Sequence, residues 1–170
     1  MEKIDPLDLK ILSIISRNAR IPFKDVATLC NVSRAAIHQH VLKMIDDGII
    51  VGSGYHINPR AIGYGTCSFI GIILERGSLY KEVSKKLALL PEVVECHLLT
   101  GDFTLLVKLQ CHDNERLTSI LNDEIQAIDG VLSTKTLLSL EQTISRDIAI
   151  PVNEEAANKP LRRGRKRVVK

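Results

Sequence analysis

Residues 22–48 read PFKDVATLCNVSRAAIHQHVLKMIDDG, and their spacing decides the first domain. Phe23–Cys30 carries Val26, Ala27 and Leu29 at helical intervals and predicts a short helix with these three inward. Asn31-Val32 turns the chain, and Ser33 has the hydroxyl that caps a helix N-terminus. A longer helix follows with Ile37, Val41, Met44 and Ile45 inward, closed by Gly48, where a left-handed residue is wanted. Its outward face then offers Ser33, Arg34, Ala35, His38, Gln39 and Lys43.

Working outward, Asp5-Pro6 opens an earlier helix, because a carboxylate can cap and proline at the first helical position loses no hydrogen bond. Leu7, Ile11, Ile14 and Ile15 face its core, and Asn18–Pro22 breaks it. Beyond Gly48, IIVGSGYHI reads as a short β-ribbon. Helix, short helix, tight turn, longer helix and ribbon make the winged helix-turn-helix pattern. The small and hydrogen-bonding side chains on the third helix suit a major groove about 12 Å wide. The spacing also fits a three-helix bundle whose outer face is simply solvated.

After Gly63-Tyr64-Gly65 the rhythm changes. Strands are expected at 66–74, 93–100, 103–111 and 131–140, with helices at 79–90 and 114–128 between them. The order βαββαβ is a ferredoxin-like antiparallel sheet with both helices on one face. Phe103, Leu105, Val107 and Leu109 alternate with Thr104, Leu106, Lys108 and Gln110. Ile70, Ile72, Leu74, Leu106, Leu138 and Leu140 are expected on the other face of the sheet, where a second copy would cover them. The fold class is therefore α+β, a winged helix-turn-helix (1–52), a β-ribbon linker (53–65), a ferredoxin-like effector and oligomerisation domain (66–152) and a basic tail (153–170).

The 170 residues carry a net charge of +3, unevenly spread. Residues 1–60 hold +2, 61–152 hold −4 and 153–170 hold +5, which points to polyanion contact at the two ends. Apolar runs are far shorter than the roughly 18 residues that span a bilayer, and the N-terminus carries charges where a signal peptide would be apolar. A cytoplasmic, nucleoid-associated protein with no membrane contact is expected. Cys30, Cys67, Cys96 and Cys111 form no CxxC, so neither a disulfide framework nor a zinc knuckle is indicated. Cys96-His97 and Cys111-His112 are also poor metal ligands. In a hairpin turning at Gly101-Asp102, Cys96 falls opposite about Lys108, roughly 10 Å along the ladder from Cys111. His38 and His40 are expected to face DNA or solvent. No catalytic triad, phosphate loop or HExxH occurs, so no enzyme, metal or cofactor is expected.

Two further segments carry chemistry. Gly101-Asp102 offers free backbone N–H groups beside a carboxylate, the complements of an amino acid's carboxylate and ammonium. Thr134, Lys135 and Thr136 on the last strand could add donors from another subunit. A plain hairpin turn beside a polar strand fits as well. In the tail, NEEAANKPLRRGRKRVVK lacks periodicity and is expected to be disordered when free. Its core of Arg162, Arg163, Gly164, Arg165, Lys166 and Arg167 resembles an AT-hook, with Lys166 where that motif has proline. A nonspecific phosphate-binding or solubilising tail is the alternative.

Together, I4-D5-x-x-D8-x-x-I11-L12, N18-A-R-I21, V32-S33-x-A-x-I37-x-x-x-V41, D47-G-I-I50, I57-N-P-x-x-I-G63, P91-x-V-x-E95, T100-G-D-F103 and G130-V-x-x-T-x-T136 carry a resemblance over about residues 4–152. The chain resembles the Lrp/AsnC, or feast/famine, transcriptional regulators. The resemblance implies double-stranded DNA as partner and a ferredoxin-like domain that forms a homodimer, with dimers assembling into octamers or similar rings. It also implies a small effector, commonly an amino acid, bound between dimers at Gly101 and Asp102, with Phe103, Thr104, Thr134 and Thr136 around it. Gln39 and His40 stand where such regulators often have paired basic residues, and Thr104 where a second Asp is common. Two other readings share the fold, a sirohaem-decarboxylase-like enzyme and an architectural DNA-binding protein without an effector.

Overall fold

In the computed structural model, which describes residues 4–151, the chain divides into two units. One comprises residues 4–55 together with 146–151, and the other 56–145.

The first unit begins with α1 (Pro6–Ile15), held at its start by a reciprocal cap. The Asp8 N–H donates to Asp5 Oδ1 at 2.7 Å and the Asp5 N–H donates to Asp8 Oδ2 at 3.2 Å, so each carboxylate satisfies a donor the helix would otherwise leave orphaned. α2 (Phe23–Cys30) ends at Asn31, whose φ of +55° turns the chain into the left-handed region. α3 (Arg34–Asp46) starts under Ser33, whose hydroxyl accepts from the Ala36 N–H at 3.1 Å. Ile11, Leu12, Val26, Ala27, Cys30, Ile37, Val41 and Met44 form the core.

Three expectations about this unit fail. Leu29 is 56% exposed and Cys30 takes the buried place, while Ile45 is 47% exposed and Met44 alone closes that end of the core. Both misplacements are one position around the helix, about 100°. The ribbon is absent too. Residues 50–58 adopt no strand, and the chain passes on to a short 3-10 turn at Pro59–Ile62. Gly52 and Gly54 contribute no side chains of their own to pair across a hairpin. The third difference is at the far end. Residues 146–151, expected in the second domain, group with the first unit, where Ile150 packs against its core.

In the second unit, β1 (Thr66–Leu74), α4 (Tyr80–Leu87), β2 (Val93–Leu98), β3 (Leu105–Cys111), α5 (Asn114–Ser119) and β4 (Val131–Ser139) follow in order. The sheet order is β2-β3-β1-β4, and every neighbouring pair is antiparallel. α5 is shorter than expected because the chain widens into a π turn at Ile120–Ile125. Ile70, Ile72, Leu74, Leu105, Val107, Leu109 and Cys111 pack with Val83, Leu87, Leu117 and Ile120 into one core.

The expected outer-face set is therefore mixed. Ile70 pairs with Val107 and Gly71 with Leu106, so Ile70, Ile72 and Leu74 point to the helices while Leu106 points away. Leu138 shares the helix-side parity of Ser68, and Leu140 lies past the strand end. The large apolar residues on the outer face are Phe69, Ile73, Leu106 and Leu137, by their registers, with Lys108 and Lys135 among them. Phe103 joins them. A Cβ on Gly71 would stand 2.6 Å from its ring, so the ring lies flat on the bare glycine.

Candidate nucleic-acid interface and effector site

Helix periodicity puts Ile37, Val41 and Met44 inward, which leaves the opposite side of α3 to solvent. Ser33, Arg34, Ala35, His38, Gln39 and Lys43 are all exposed. Ser33 spends its hydroxyl on the cap, and the His38 ring meets Phe23 of α2 edge-on at 6.1 Å between centroids. The resulting surface is a helix N-terminus with a guanidinium, an imidazole, an amide and an ammonium along one face. Such groups can donate to phosphates and to base edges.

His40 does not face outward. Its Nδ1 lies 2.6 Å from Asp8 Oδ1 and 3.9 Å from Asp5 Oδ2. The oxygens of Asp5 and Asp8 not used by the cap are the two turned toward it. This ties α3 to the start of α1 across 32 residues of sequence, and no local pattern announces it.

In the second unit, Gly101 (φ +121°) and Asp102 are exposed in the turn between β2 and β3. Only glycine adopts that backbone angle without strain. Thr104 is anchored inward, its N–H donating to Ile72 O at 2.8 Å and its hydroxyl accepting from the Leu74 N–H at 3.3 Å. Ile72 is flanked by Leu105 on one side and Thr134 on the other. Leu105 and Thr134 thus lie two strand spacings, about 10 Å, apart, at the end of the sheet where the turn leads into β3. Thr136 is two residues further along, opposite Ile70. Phe103 does not join this group, because its ring lies on the opposite face over Gly71. Gln126, which no sequence pattern marks, does join it. It follows the π turn, and its Nε2 donates to Thr134 Oγ1 at 2.9 Å.

The cysteine and histidine pairs sit differently from the expected register. An irregularity between Val93 and Glu95 sets Cys96 opposite Val107 and Glu95 opposite Lys108. The Lys108 ammonium then donates to Glu95 Oε1 at 2.7 Å and holds that carboxyl below its ordinary range. All four cysteines are free, and burial pushes the Cys30 and Cys111 thiols up. His112 stacks on Tyr64 at 4.0 Å and its Nδ1 lies 3.0 Å from Gly63 O, so it fastens the 63–65 segment to the end of β3. Among the described residues, one group of three metal-ligating side chains comes together, Asp5, Asp8 and His40. It is engaged by the cap and the hydrogen bond already described.

Comparison with known proteins bears on both sites. Residues 4–51 match the winged helix-turn-helix DNA-binding family and residues 67–148 the Lrp/AsnC ligand binding domain. The regulatory protein AsnC of Haemophilus influenzae is 43% identical over 148 residues, 87% of this chain and 99% of that protein. AsnC of Escherichia coli K12 is 38% identical over 145 residues, covering 85% and 95%. The chain belongs to the Lrp/AsnC family. It is a transcriptional regulator of that family with a helix-turn-helix DNA-binding domain.

The solved structure of E. coli AsnC superposes with a TM-score of 0.80 at 38% identity, covering 86% of this chain and 98% of that one. A Neisseria meningitidis regulator described as an L-methionine complex shares the Lrp/AsnC fold (TM-score 0.79, 90% and 99% coverage) at 19% identity. So does a Mycobacterium tuberculosis feast or famine protein with L-methionine (0.80, 88% and 100%) at 21%. Arg162, Arg163, Arg165, Lys166 and Arg167 lie outside both the described residues and the Lrp/AsnC domain match.

Proposed function

We propose that this regulator reads its operator with α3 in the major groove. Arg34 and Gln39 address base edges, while Ser33, Ala35, His38 and Lys43 fix the helix against the backbone. The observation that carries this is the exposure of all six on one surface of a capped helix, while Ile37, Val41 and Met44 hold the opposite surface in the core.

We further propose an amino-acid effector at the end of the sheet. Backbone N–H groups at Gly101 would meet its carboxylate, Asp102 its ammonium, and Thr104, Thr134 and Thr136 its side chain, with Gln126 setting the Thr134 hydroxyl. The L-methionine complexes of the two fold relatives support this class of ligand. A second copy of the chain covers Phe69, Ile73, Phe103, Leu106 and Leu137, and dimers build an octamer or similar ring on the nucleoid. The protein acts by binding rather than by catalysis. An effector that prefers one assembly shifts the equilibrium by its differential affinity and no more.

The test is selection of duplexes by the full-length protein from a random pool, followed by thermal shifts with each of the twenty amino acids. A recovered consensus and a saturable shift with one or a few amino acids are expected. Enrichment of no consensus contradicts the operator reading, and twenty flat titrations contradict the effector.

A further inference from the structure

The cap at the start of α1 uses only half of each carboxylate. Asp5 Oδ1 accepts from the Asp8 N–H and Asp8 Oδ2 accepts from the Asp5 N–H, which leaves Asp5 Oδ2 and Asp8 Oδ1 turned toward His40 of α3. The His40 Nδ1 lies 2.6 Å from the Asp8 oxygen and 3.9 Å from the Asp5 oxygen, and the three atoms fall within 4.8 Å of one another. Asp8 is only 6% exposed. A carboxylate so buried needs compensating charge, and one imidazole, even protonated, cannot balance two carboxylates. Among the described residues, the ion pairs of Asp5 and Asp8 are both with His40.

We propose that Asp5, Asp8 and His40 form a binding site for a first-row divalent cation such as Zn²⁺. A capping box is complete with two side chains of one helix. Here a third ligand arrives from another helix, 32 residues on, and it is an imidazole, which suits zinc, nickel or cobalt rather than magnesium or calcium. Each carboxylate is already oriented by a backbone N–H, the kind of outer-shell contact that fixes metal ligands. A tetrahedral ion about 2.1 Å from each ligand atom sets those atoms about 3.4 Å apart. The Asp8–His40 contact then opens by about 0.8 Å and the Asp5–His40 contact closes by about 0.5 Å, shifts within the reach of side-chain rotation. Asp5 is half-exposed, which leaves the fourth position to water. Coordination needs the Nδ1 lone pair, so the proton shared with Asp8 moves to Nε2 or leaves to solvent. The ion joins the start of α1 to the middle of α3, so its occupancy sets how firmly α3 is held. That consequence for DNA rests on the reading of α3 given above; the site itself does not.

In the experiment, full-length protein is dialysed against a chelator at about pH 7 and titrated with Zn²⁺, Co²⁺ or Mg²⁺, followed by calorimetry and thermal unfolding. The wild type is expected to bind one equivalent of Zn²⁺ and to unfold at a higher temperature with it; Mg²⁺ is expected to do neither. Asp5→Asn keeps an oxygen for the cap, and His40→Gln keeps a hydrogen-bond donor toward Asp8. Urea midpoints check that both fold, and Asp5→Asn decides alone if His40→Gln does not. A lost ligand costs no less than a lost outer-shell partner, so each variant should weaken Zn²⁺ binding by at least about tenfold. Co²⁺ separates this site from the four free cysteines, because a thiolate ligand adds an intense near-ultraviolet charge-transfer band that carboxylates and imidazole lack. The proposal is overturned by the absence of saturable Zn²⁺ binding, by undiminished binding in a folded variant, by an equal response to Mg²⁺, or by a thiolate band. On a duplex selected by the protein from a random pool, Zn²⁺ should raise wild-type affinity and leave that of His40→Gln unmoved. An unmoved wild type overturns the link to α3. A protein that selects no duplex overturns the α3 reading, while the zinc titration still decides the site.

Discussion

His40 shows how one side chain can tie α3 to the start of α1. Its Nδ1 takes the Asp8 oxygen that the cap leaves over, and Asp8 is buried. Replacing His40 with Ala strands that oxygen, and a buried acceptor without a partner costs about 1–3 kcal/mol. His40→Ala should therefore lower the urea midpoint, with an unchanged m-value. A variant as stable as the wild type would mean the contact contributes nothing. An ion pair in the second unit gives an acid signature. The Arg116 Nε donates to Glu92 Oε1 at 2.7 Å, and this hydrogen bond holds the Glu92 carboxyl below its ordinary range. The folded chain then takes up that proton less readily than the unfolded chain, whose glutamates titrate near about 4.3. The pair's stabilisation is thus complete above that value and is lost as pH falls through the lowered one. Glu95 beside Lys108 adds the same sign. In Glu92→Gln, the fall in urea midpoint between about pH 7 and pH 3 should be smaller than in the wild type. An identical fall would remove Glu92 from the acid response.

At the scale of elements, the helices and strands were readable because their causes are local. Asp5-Pro6 and Ser33 announce helix starts, and Leu105, Val107, Leu109 and Cys111 alternate into the core as their spacing requires. The features that escaped the sequence have causes that are not local. The register step at Val93/Glu95 depends on how two strands meet. The π turn at Ile120–Ile125 has no glycine or proline to mark it. The expected ribbon failed because turn residues are only permissive. Tyr55 is met instead by the Arg20 guanidinium, 4.3 Å from the ring centroid. At the candidate sites, the exposed face of α3 was legible from periodicity, whereas Gln126 and His40 were not, since each acts through a partner on another element. One consequence belongs to α3 as a helix. Ser33→Ala removes the acceptor for the Ala36 N–H, at about 1 kcal/mol. Its urea midpoint should fall by the corresponding amount, and faster amide exchange should be confined to the first turn of α3. Uniformly faster exchange would contradict a local capping role.

For the whole molecule, the two-domain order was legible because the hydrophobic period switches from helical to alternating near Thr66. The return of Ile150 to the first core was not, because Ile148-Ala149-Ile150 is too short an apolar run to say which core it joins. The proposed assembly rests on the sheet's outer face, where Leu106 is half-buried and Leu137 is 48% exposed in a single chain. Burying such a leucine contributes about 1.5–3 kcal/mol. Leu106→Asp combined with Leu137→Asp should reduce the species seen by light scattering to a folded monomer. An unchanged mass would move the interface elsewhere. The central claim is that α3 reads sequence, and its most direct test compares a selected duplex with a scrambled one in the same salt. Specific binding by such regulators exceeds nonspecific binding by a factor of about 10³ or more. Arg34→Ala/Gln39→Ala should collapse that ratio while leaving affinity for the scrambled duplex nearly unchanged. Equal losses on both duplexes would contradict the account.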